Sequence, residues 1–155
     1  MDPVDATGPM RLVLCTFPSR EVATERVRRA VHSKLAACAN FWSIDSIYWW
    51  KEGITEDTEV LVVFKTVPKR VGALFEFLKR SHPYEVPEII ELDVPRVDPG
   101  YLTYLAATLD PASPPLPLGG GHPTRSGGPR ARGARPLGRT RGPRRRRSKG
   151  TGRHR

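Results

Sequence analysis

The sequence predicts an α+β domain with the element order β-α-β-β-α-β and a further helix at its C-terminal end. Short runs rich in apolar, β-branched and aromatic residues alternate with stretches in which apolar residues recur at helical spacing. All 16 acidic residues lie at or before Asp110, which marks a change of composition there. We therefore expect a short N-terminal extension at residues 1–9, one domain at residues 10–110 and a separate tail at residues 111–155.

The first half of the domain is expected to contain a strand, a helix and a hairpin. Residues 11–17 form an apolar run that Pro18 stops, which is typical of a strand. Ser19 can cap a helix over about residues 20–36, whose apolar stripe comprises Ala23, Val27, Ala30, Val31 and Leu35. Residues 39–50 and 59–66 are then two strands of a long hairpin, joined by a polar turn at residues 51–57.

The second half is expected to contain two helices and one strand. Pro68 begins a helix with apolar residues at positions i, i+3, i+4 and i+7, which are Val71, Leu74, Phe75 and Leu78. A loop with two prolines precedes a strand at residues 88–94. Asp98 is a good cap and Pro99 a good first residue for a third helix, whose stripe comprises Leu102, Leu105, Ala106 and Leu109.

Two split β-α-β units fold most simply as a four-stranded antiparallel sheet with both crossover helices on one face, the ferredoxin-like arrangement. The strand at residues 11–17 and the segment at residues 60–64 are apolar in both phases of the strand repeat. Such strands need cover on both faces of the sheet, and a domain of this size supplies too little. We therefore expect other copies of the same chain to cover the second face.

The tail has the composition of a disordered polycation. Residues 111–155 contain 13 basic and no acidic residues, and eight Pro and ten Gly, whereas residues 1–110 carry 13 basic against 16 acidic residues. A flexible chain of this kind attracts nucleic acid through non-specific, salt-dependent phosphate contacts. The same composition arises from a GC-rich coding region without any selection for binding, and both interpretations stay open.

The motifs of common enzymes and the patterns of membrane proteins are missing. The sequence has no Gly-rich phosphate loop, HExxH, GxSxG or CxxC motif. No apolar run reaches the ~18 residues that a membrane span requires. Residues 1–9 lack a signal pattern, and two cysteines are too few for a disulfide framework. We expect a cytoplasmic protein that is not an enzyme and contacts no membrane.

Three side chains are candidate metal ligands: Cys15, Cys38 and His82. Thiolate and imidazole suit copper or zinc, and the expected topology lets the first strand's end approach the loop after the second helix. The alternative is that both cysteines are small buried apolar residues and that His82 ends a helix.

Two further groups of residues are candidate binding or contact elements. Pro83 and Pro87 stiffen the loop that carries Tyr84, Glu85 and Glu88, so these three side chains either edge a pocket or steer the chain into the next strand. Tyr48, Trp49 and Trp50 lie near the expected hairpin tip, where packing in the core or between subunits is favoured over stacking on a ligand.

Several of these stretches together resemble the CutA family of divalent-cation tolerance proteins. They occur in the family's order from about residue 10 to residue 110: LCTFP at 14–18, KLAACAN at 34–40, SIYWWK at 46–51, FKT at 64–66, HPYEVPE at 82–88 and YL at 101–102. The resemblance implies a ferredoxin-like subunit in a compact homotrimer, with Tyr48, Trp49 and Trp50 at the subunit contacts.

The resemblance also implies a role in tolerance of copper and other divalent cations. Cys15 and His82 correspond to residues implicated in copper binding in some bacterial members, and Cys38 to the cysteine of the LAAC motif. Ser81 stands where those members have a second histidine. The family's fold is further similar to that of PII signalling proteins, which are trimers that bind nucleotides in subunit clefts. A trimeric cation-response protein, a PII-like sensor of small molecules and a tail-mediated nucleic-acid binder are therefore the three hypotheses.

Overall fold

A computed structural model describes residues 8–113, and its elements follow the predicted order. The strands are β1 (Met10–Phe17), β2 (Cys38–Trp50), β3 (Gly53–Thr66) and β4 (Ile89–Val94), and the helices are α1 (Arg20–His32), α2 (Pro68–Ser81) and α3 (Pro99–Leu109). The strands form one antiparallel sheet in the order β2-β3-β1-β4, which confirms the ferredoxin-like prediction. The predictions for the N-terminal extension up to residue 7 and for the basic tail beyond residue 113 lie outside the described residues.

Helices α1 and α2 cover one side of the sheet, which we call the helix face. Alternate residues of β1 and β3 are paired there, with Cys15 opposite Val62 and Phe17 opposite Val60. These side chains pack in one buried cluster with residues from both helices, among them Ala23, Ala30, Leu74 and Leu78. The amphipathic stripes read from the sequence therefore do face the sheet.

The other side of the sheet, which we call the open face, is covered at one end. Helix α3 packs Leu105 and Leu109 there, against a cluster that comprises Met10, Leu12, Ala37, Val67 and Val94. Beyond α3, Leu14, Leu61 and Val63 on the two central strands stay half-buried. Trp42, Ile90 and Leu92 on the outer strands are 47%, 42% and 44% exposed. The expectation of an uncovered second face therefore holds for the part that α3 does not reach.

Helix α1 ends at His32, about one turn earlier than its apolar stripe predicts. The backbone of Lys34 adopts the left-handed conformation, with φ 57°. The Lys34 and Leu35 amides donate to the carbonyl oxygens of Val31 and Ala30, at 3.0 and 2.9 Å. This pair of bonds is the Schellman arrangement that ends a helix, and it leaves Leu35 packed against the core although it is no longer helical.

The hairpin is longer than the sequence predicts, because its turn contains two residues instead of seven. Pairing of β2 with β3 continues to Trp50 opposite Gly53, so that Lys51 and Glu52 alone form the turn. Residues 53–58 are mostly exposed strand residues, and the Tyr48 hydroxyl donates to Asp57 at 2.6 Å across the hairpin. Their polarity is typical of a loop. A strand with both sides in solvent, however, does not need apolar residues at alternate positions, so polar residues can form it.

None of the helices within residues 8–113 combines the length and the apolar character that crossing a lipid bilayer demands.

The turn residue Lys51 carries backbone strain that glycine would relieve. Its φ is 55°, a conformation that costs an L-residue about 1–2 kcal/mol, while glycine adds about 0.5–1 kcal/mol of unfolded-state entropy. We expect Lys51→Gly to be about 0.5–1 kcal/mol more stable than Lys51→Ala, measured from thermal unfolding midpoints. Both variants lose the ammonium group, so a stability for Lys51→Gly about 0.5–1 kcal/mol below that for Lys51→Ala would show that the turn is unstrained.

Candidate functional site

His82 fixes the loop at residues 82–88 to the end of β1. Its Nε2 lies 2.8 Å from the carbonyl oxygen of Thr16, and the amide of Tyr84 donates to Nδ1 at 3.0 Å. Because a carbonyl oxygen only accepts hydrogen bonds, Nε2 carries the hydrogen and the imidazole is neutral. The ring also stacks on Phe17, with centroids 4.9 Å apart and planes at 16°. Both ring nitrogens of His82 are therefore engaged in fixing the loop.

The surroundings of His82 favour this neutral form. Burial lowers the pKa of His82, and the charge of Arg26 lowers it further, while the bond to Thr16 and the charge of Glu59 act in the opposite direction. The Arg26 guanidinium donates two hydrogen bonds to the carbonyl oxygen of Ser81, at 2.9 and 2.6 Å. The hydroxyl of Ser81 in turn donates to Phe77 at 2.8 Å. Ser81, which stands where the resembled family members have a second histidine, is thus hydrogen-bonded at the end of α2.

Cys15 lies fully buried on the helix face, next to the same carbonyl group. Its Sγ is 3.8 Å from the carbonyl oxygen of Thr16, the oxygen that also accepts from His82. Burial, followed by the charges of Glu88 and Glu59, raises the pKa of the Cys15 thiol to about 12. A metal ligand has to be the thiolate, so binding at Cys15 must first remove a strongly held proton.

Cys38 does not join the other two candidate ligands. It pairs with Lys65 and Lys65 with Leu12, so the register places Cys38 on the open face and Cys15 on the helix face. Its Sγ lies 3.3 Å from the hydroxyl of Tyr101, and so connects β2 to α3. Burial and this contact raise the pKa of Tyr101.

The three candidates do not form a ready ligand set. Within residues 8–113, no group of three or more His, Cys, Asp or Glu side chains is placed to hold a metal ion. As hydrogen-bonded here, Cys15 and His82 do not fit a bound metal, since the thiol is protonated and no ring nitrogen has a free lone pair. Coordination by Cys15 and His82 stays a prediction, and it requires the ring to give up one hydrogen bond.

A cavity of about 750 Å³ lies between the hairpin and the loop at residues 82–88. Its volume is within the range of small-molecule sites. The predicted pocket residues Tyr84, Glu85 and Glu88 all line it, together with Tyr48 and Trp50 of the hairpin. Trp49 does not line the cavity and is 72% exposed.

Glu59 is the cavity residue that the sequence analysis missed. Its side chain is only 7% exposed, and its Oε1 accepts a hydrogen bond from the Tyr84 hydroxyl at 3.0 Å. Burial, followed by this bond, raises the pKa of Tyr84. The position of Glu59 in the strand repeat is the feature of the sequence that could have indicated it. Glu59 is in phase with Leu61 and Val63 on the open face, and it is an acidic residue at the end of an apolar strand.

The walls of the cavity are acidic. Asp45, Glu59, Glu85 and Glu88 line it, and within residues 8–113 the lining contains no Lys, Arg or His. Only Glu59 among these carboxylates is buried, whereas Asp45, Glu85 and Glu88 are exposed, and Asp45 pairs with Thr58, in the opposite phase of the hairpin to Glu59.

Comparison with known proteins identifies similar chains. The family model of the CutA1 divalent ion tolerance protein matches residues 11–108. "Protein CutA" of Mus musculus is 44% identical over 99 residues, which are 63% of this chain and 56% of the mouse protein. "Divalent-cation tolerance protein CutA" of Thermotoga maritima is 42% identical over 96 residues, which are 62% of this chain and 95% of that protein. The match to the mouse relative thus spans little more than half of that protein's length.

Solved structures agree with the fold. CutA from Synechococcus elongatus superimposes with a TM-score of 0.65 at 33% sequence identity, covering 67% of this chain and 93% of that one. The protein described as the periplasmic divalent cation tolerance protein CutA from Archaeoglobus fulgidus gives a TM-score of 0.64 at 29% identity, covering 65% of this chain and 99% of that one.

The neutral state of His82 predicts a specific dependence of stability on pH. Because its folded pKa is lowered, the unfolded chain binds more protons as the pH falls through about 6.5, and the folded state loses stability there. We expect the urea midpoint of the unmodified chain to fall more steeply below about pH 6.5 than that of His82→Gln, whose side chain does not titrate.

The control for this measurement is His32→Gln, which removes an exposed histidine from α1. It should reproduce the pH dependence of the unmodified chain. If His82→Gln did so as well, the imidazole would not be held in its neutral form.

Proposed function

The chain belongs to the CutA1 divalent ion tolerance protein family, and on that premise we propose that it is a non-enzymatic divalent-cation tolerance protein that acts as a homotrimer. The observation that carries the proposal is the open face of the sheet. Central strands normally have both faces covered, yet Leu14, Leu61 and Val63 remain half-buried beyond the reach of α3.

Further copies of the chain are the simplest cover for this surface. The exposed residues Trp42, Ile90 and Leu92 extend the apolar area from the central strands to both edges of the sheet. Each square ångström of apolar surface removed from water contributes about 25 cal/mol. A closed ring of three identical subunits, as the resemblance to the family implies, would bury the open face of every copy.

The hairpin supports the same proposal. Its outer part carries large apolar side chains in solvent, with Ile47 and Trp49 each 72% exposed and Ile54 63% exposed. Contiguous exposed apolar residues of this size are typical of protein interfaces. We propose that Tyr48, Trp49 and Trp50 contact a neighbouring subunit in the trimer.

The proposed role in cation tolerance rests on membership of the family and on two side chains, those of Cys15 and His82. Relatives are described as divalent-cation tolerance proteins, and we extend this role to the present chain, with a cytoplasmic location. Copper at Cys15 and His82 is part of the proposal because both side chains contact the Thr16 carbonyl oxygen. Cys38 is left out, because it lies on the other face of the sheet.

A second candidate function is the sensing of a small molecule, in the manner of PII proteins. The cavity between the hairpin and the loop at residues 82–88 favours it, because the cavity has the volume of a ligand site and contains a buried carboxylate. Ligand binding there would not depend on Cys15, which does not line the cavity.

A charge on the open face should break the assembly. We expect the unmodified chain to show three times the monomer mass in native mass spectrometry. Val63→Glu should shift the population largely to monomer, because burying an unpaired carboxylate costs several kcal/mol. The control is Ala73→Glu at an exposed position of α2, which should remain trimeric. A folded monomer of the unmodified chain, or a trimeric Val63→Glu variant, would contradict the proposed assembly.

Copper binding tests the cation site separately from the assembly. In an anaerobic copper(I) titration we expect affinity to increase with pH, because the Cys15 thiol must release its proton. Cys15→Ser and His82→Gln should each lower the affinity at least tenfold, while Cys38→Ser should leave it unchanged. Unchanged binding in the first two variants would remove this site from the proposal.

A further inference from the structure

We propose that the outer side of helices α1 and α2 binds duplex nucleic acid through its phosphates. We call this outer side the basic surface, and it comprises the solvent-facing side chains of residues 20–34 and 68–81. The proposal goes beyond cation tolerance and small-molecule sensing and rests on neither. It follows from the separation of charge within the domain, from the arrangement of the exposed cations and from the place where the chain leaves the domain.

Charge is unevenly distributed over the folded domain. Residues 20–34 and 68–81 contain nine basic and three acidic residues, whereas residues 35–67 and 82–110 contain three basic and eleven acidic residues. Helices α1 and α2 lie on the helix face of the sheet, so the proposed trimer, which covers the open face, leaves their outer side in solvent. Positive charge collected on one side of a protein attracts polyanions.

The folded structure brings exposed cations of the two helices together. The Arg26 guanidinium donates to the carbonyl oxygen of Ser81 at 2.9 and 2.6 Å. The Arg29 guanidinium lies over the ring of Phe77, 5.1 Å from its centroid. These contacts place the middle of α1 beside the C-terminal end of α2. The exposed cations of this area are Arg28, Arg29, Lys79 and Arg80.

Several exposed cations of the basic surface are not paired with the domain's own acids. The ion pairs recorded within residues 8–113 include none of Arg28, Lys69 and Lys79. Of the three acids on the surface, Glu25 and Glu76 pair with other arginines there, Glu76 at a long 4.0 Å. Three cations in each chain are therefore available to phosphates.

The side-chain types and the length of the surface suit a duplex. Six of its nine basic residues are arginines, whose planar guanidinium groups can each donate two hydrogen bonds to a phosphate. Lys69 and Arg80 are separated by about 16 Å along α2, and the major groove of a duplex is about 12 Å wide. The surface is therefore long enough to contact phosphates on both sides of a groove.

A single strand or a lipid surface fits the basic surface less well. Single-stranded bases bind by stacking on exposed aromatic side chains, and a helix that lies on a membrane inserts large apolar ones. None of the large apolar side chains that are exposed within residues 8–113 belongs to α1 or α2. The tail at residues 111–155 contains no Phe, Trp or Tyr either.

The chain leaves the domain at one end of the basic surface. The Nζ of Lys34, just after α1, donates to the carbonyl oxygen of Ser113 at 2.7 Å. Arg70, in the first turn of α2, donates to the carbonyl oxygen of Leu109 at 2.9 Å. Ser113 is the last residue that the structure describes, and residues 114–155 contain 13 basic and no acidic residues. A polyanion attracted by these residues is thereby kept at a high local concentration near the basic surface.

The test is a fluorescence anisotropy titration of the full chain with labelled duplexes of about 20 base pairs, as DNA and as RNA, at several NaCl concentrations. We expect affinity to decrease steeply with salt, and the tighter duplex identifies which nucleic acid is preferred. Arg28→Gln combined with Lys79→Gln should weaken binding at least tenfold at about 0.1 M NaCl. It should also reduce the slope of log affinity against log salt by about 2, because each phosphate contact contributes ~0.9.

The matched control is Lys51→Gln combined with Arg96→Gln. It also removes one lysine and one arginine, both from exposed positions outside the basic surface. We expect it to change the affinity less than threefold. Native mass spectrometry should show the same assembly for both variants and the unmodified chain.

Three results would overturn the inference. The first is no saturable binding of either duplex. The second is unchanged affinity in the Arg28 and Lys79 variant, because the tail would then bind alone, and the third is an equal loss in the control, because only net charge would then matter. Phosphatidylserine vesicles are a further probe: if this variant lost affinity for the vesicles alone, the surface would be a membrane site. The trimer and the copper site are tested separately and would be unaffected.

Discussion

The central constraint on this structure is that strands β1 and β3 are apolar on both faces. Helices α1 and α2 cover one face with the stripes of Ala23, Ala30, Leu74 and Leu78. Helix α3 covers one end of the other face, where Leu105 and Leu109 pack over Met10 and Leu12. The remaining apolar surface follows the two central strands and continues to the edges of the sheet. The proposed assembly depends on how this surface is covered. The candidate sites lie beside the same surface, so their surroundings depend on that cover as well.

A single loop connects the candidate metal ligands to the cavity. His82 holds the loop at residues 82–88 to the end of β1, and two residues later Tyr84 reaches Glu59 on β3. The imidazole uses Nε2 toward the Thr16 carbonyl oxygen and Nδ1 toward the Tyr84 amide, and the Glu59 side chain that Tyr84 reaches is buried at the wall of the cavity. The loop therefore has an architectural role whatever it binds.

The places where sequence patterns misled have physical causes. Leu35 continues the apolar stripe of α1, but the left-handed backbone of Lys34 ends the helix and returns the side chain to the core by another path. The outer hairpin reads as a loop because it is polar, yet it pairs as a strand with both sides in solvent. Cys15 and Cys38 are the same type of ligand, yet they lie on different faces of the sheet. Spacing along the chain contains no information about the face that a residue occupies when the register is unknown.

The sequence by itself determined the elements, their order, the ferredoxin-like sheet and the two-sided apolar strands, because these depend on local periodicity and on short-range signals such as Pro68 and Asp98. It also indicated the loop that carries Tyr84, Glu85 and Glu88. The tertiary structure alone decided which polar groups meet. The contact of His82 with Thr16 joins residues 66 positions apart, and that of Tyr84 with Glu59 joins residues 25 positions apart. Such contacts depend on the folded path of the chain. Which nitrogen of His82 carries the hydrogen, and the burial of Glu59 at the cavity, depend on it as well.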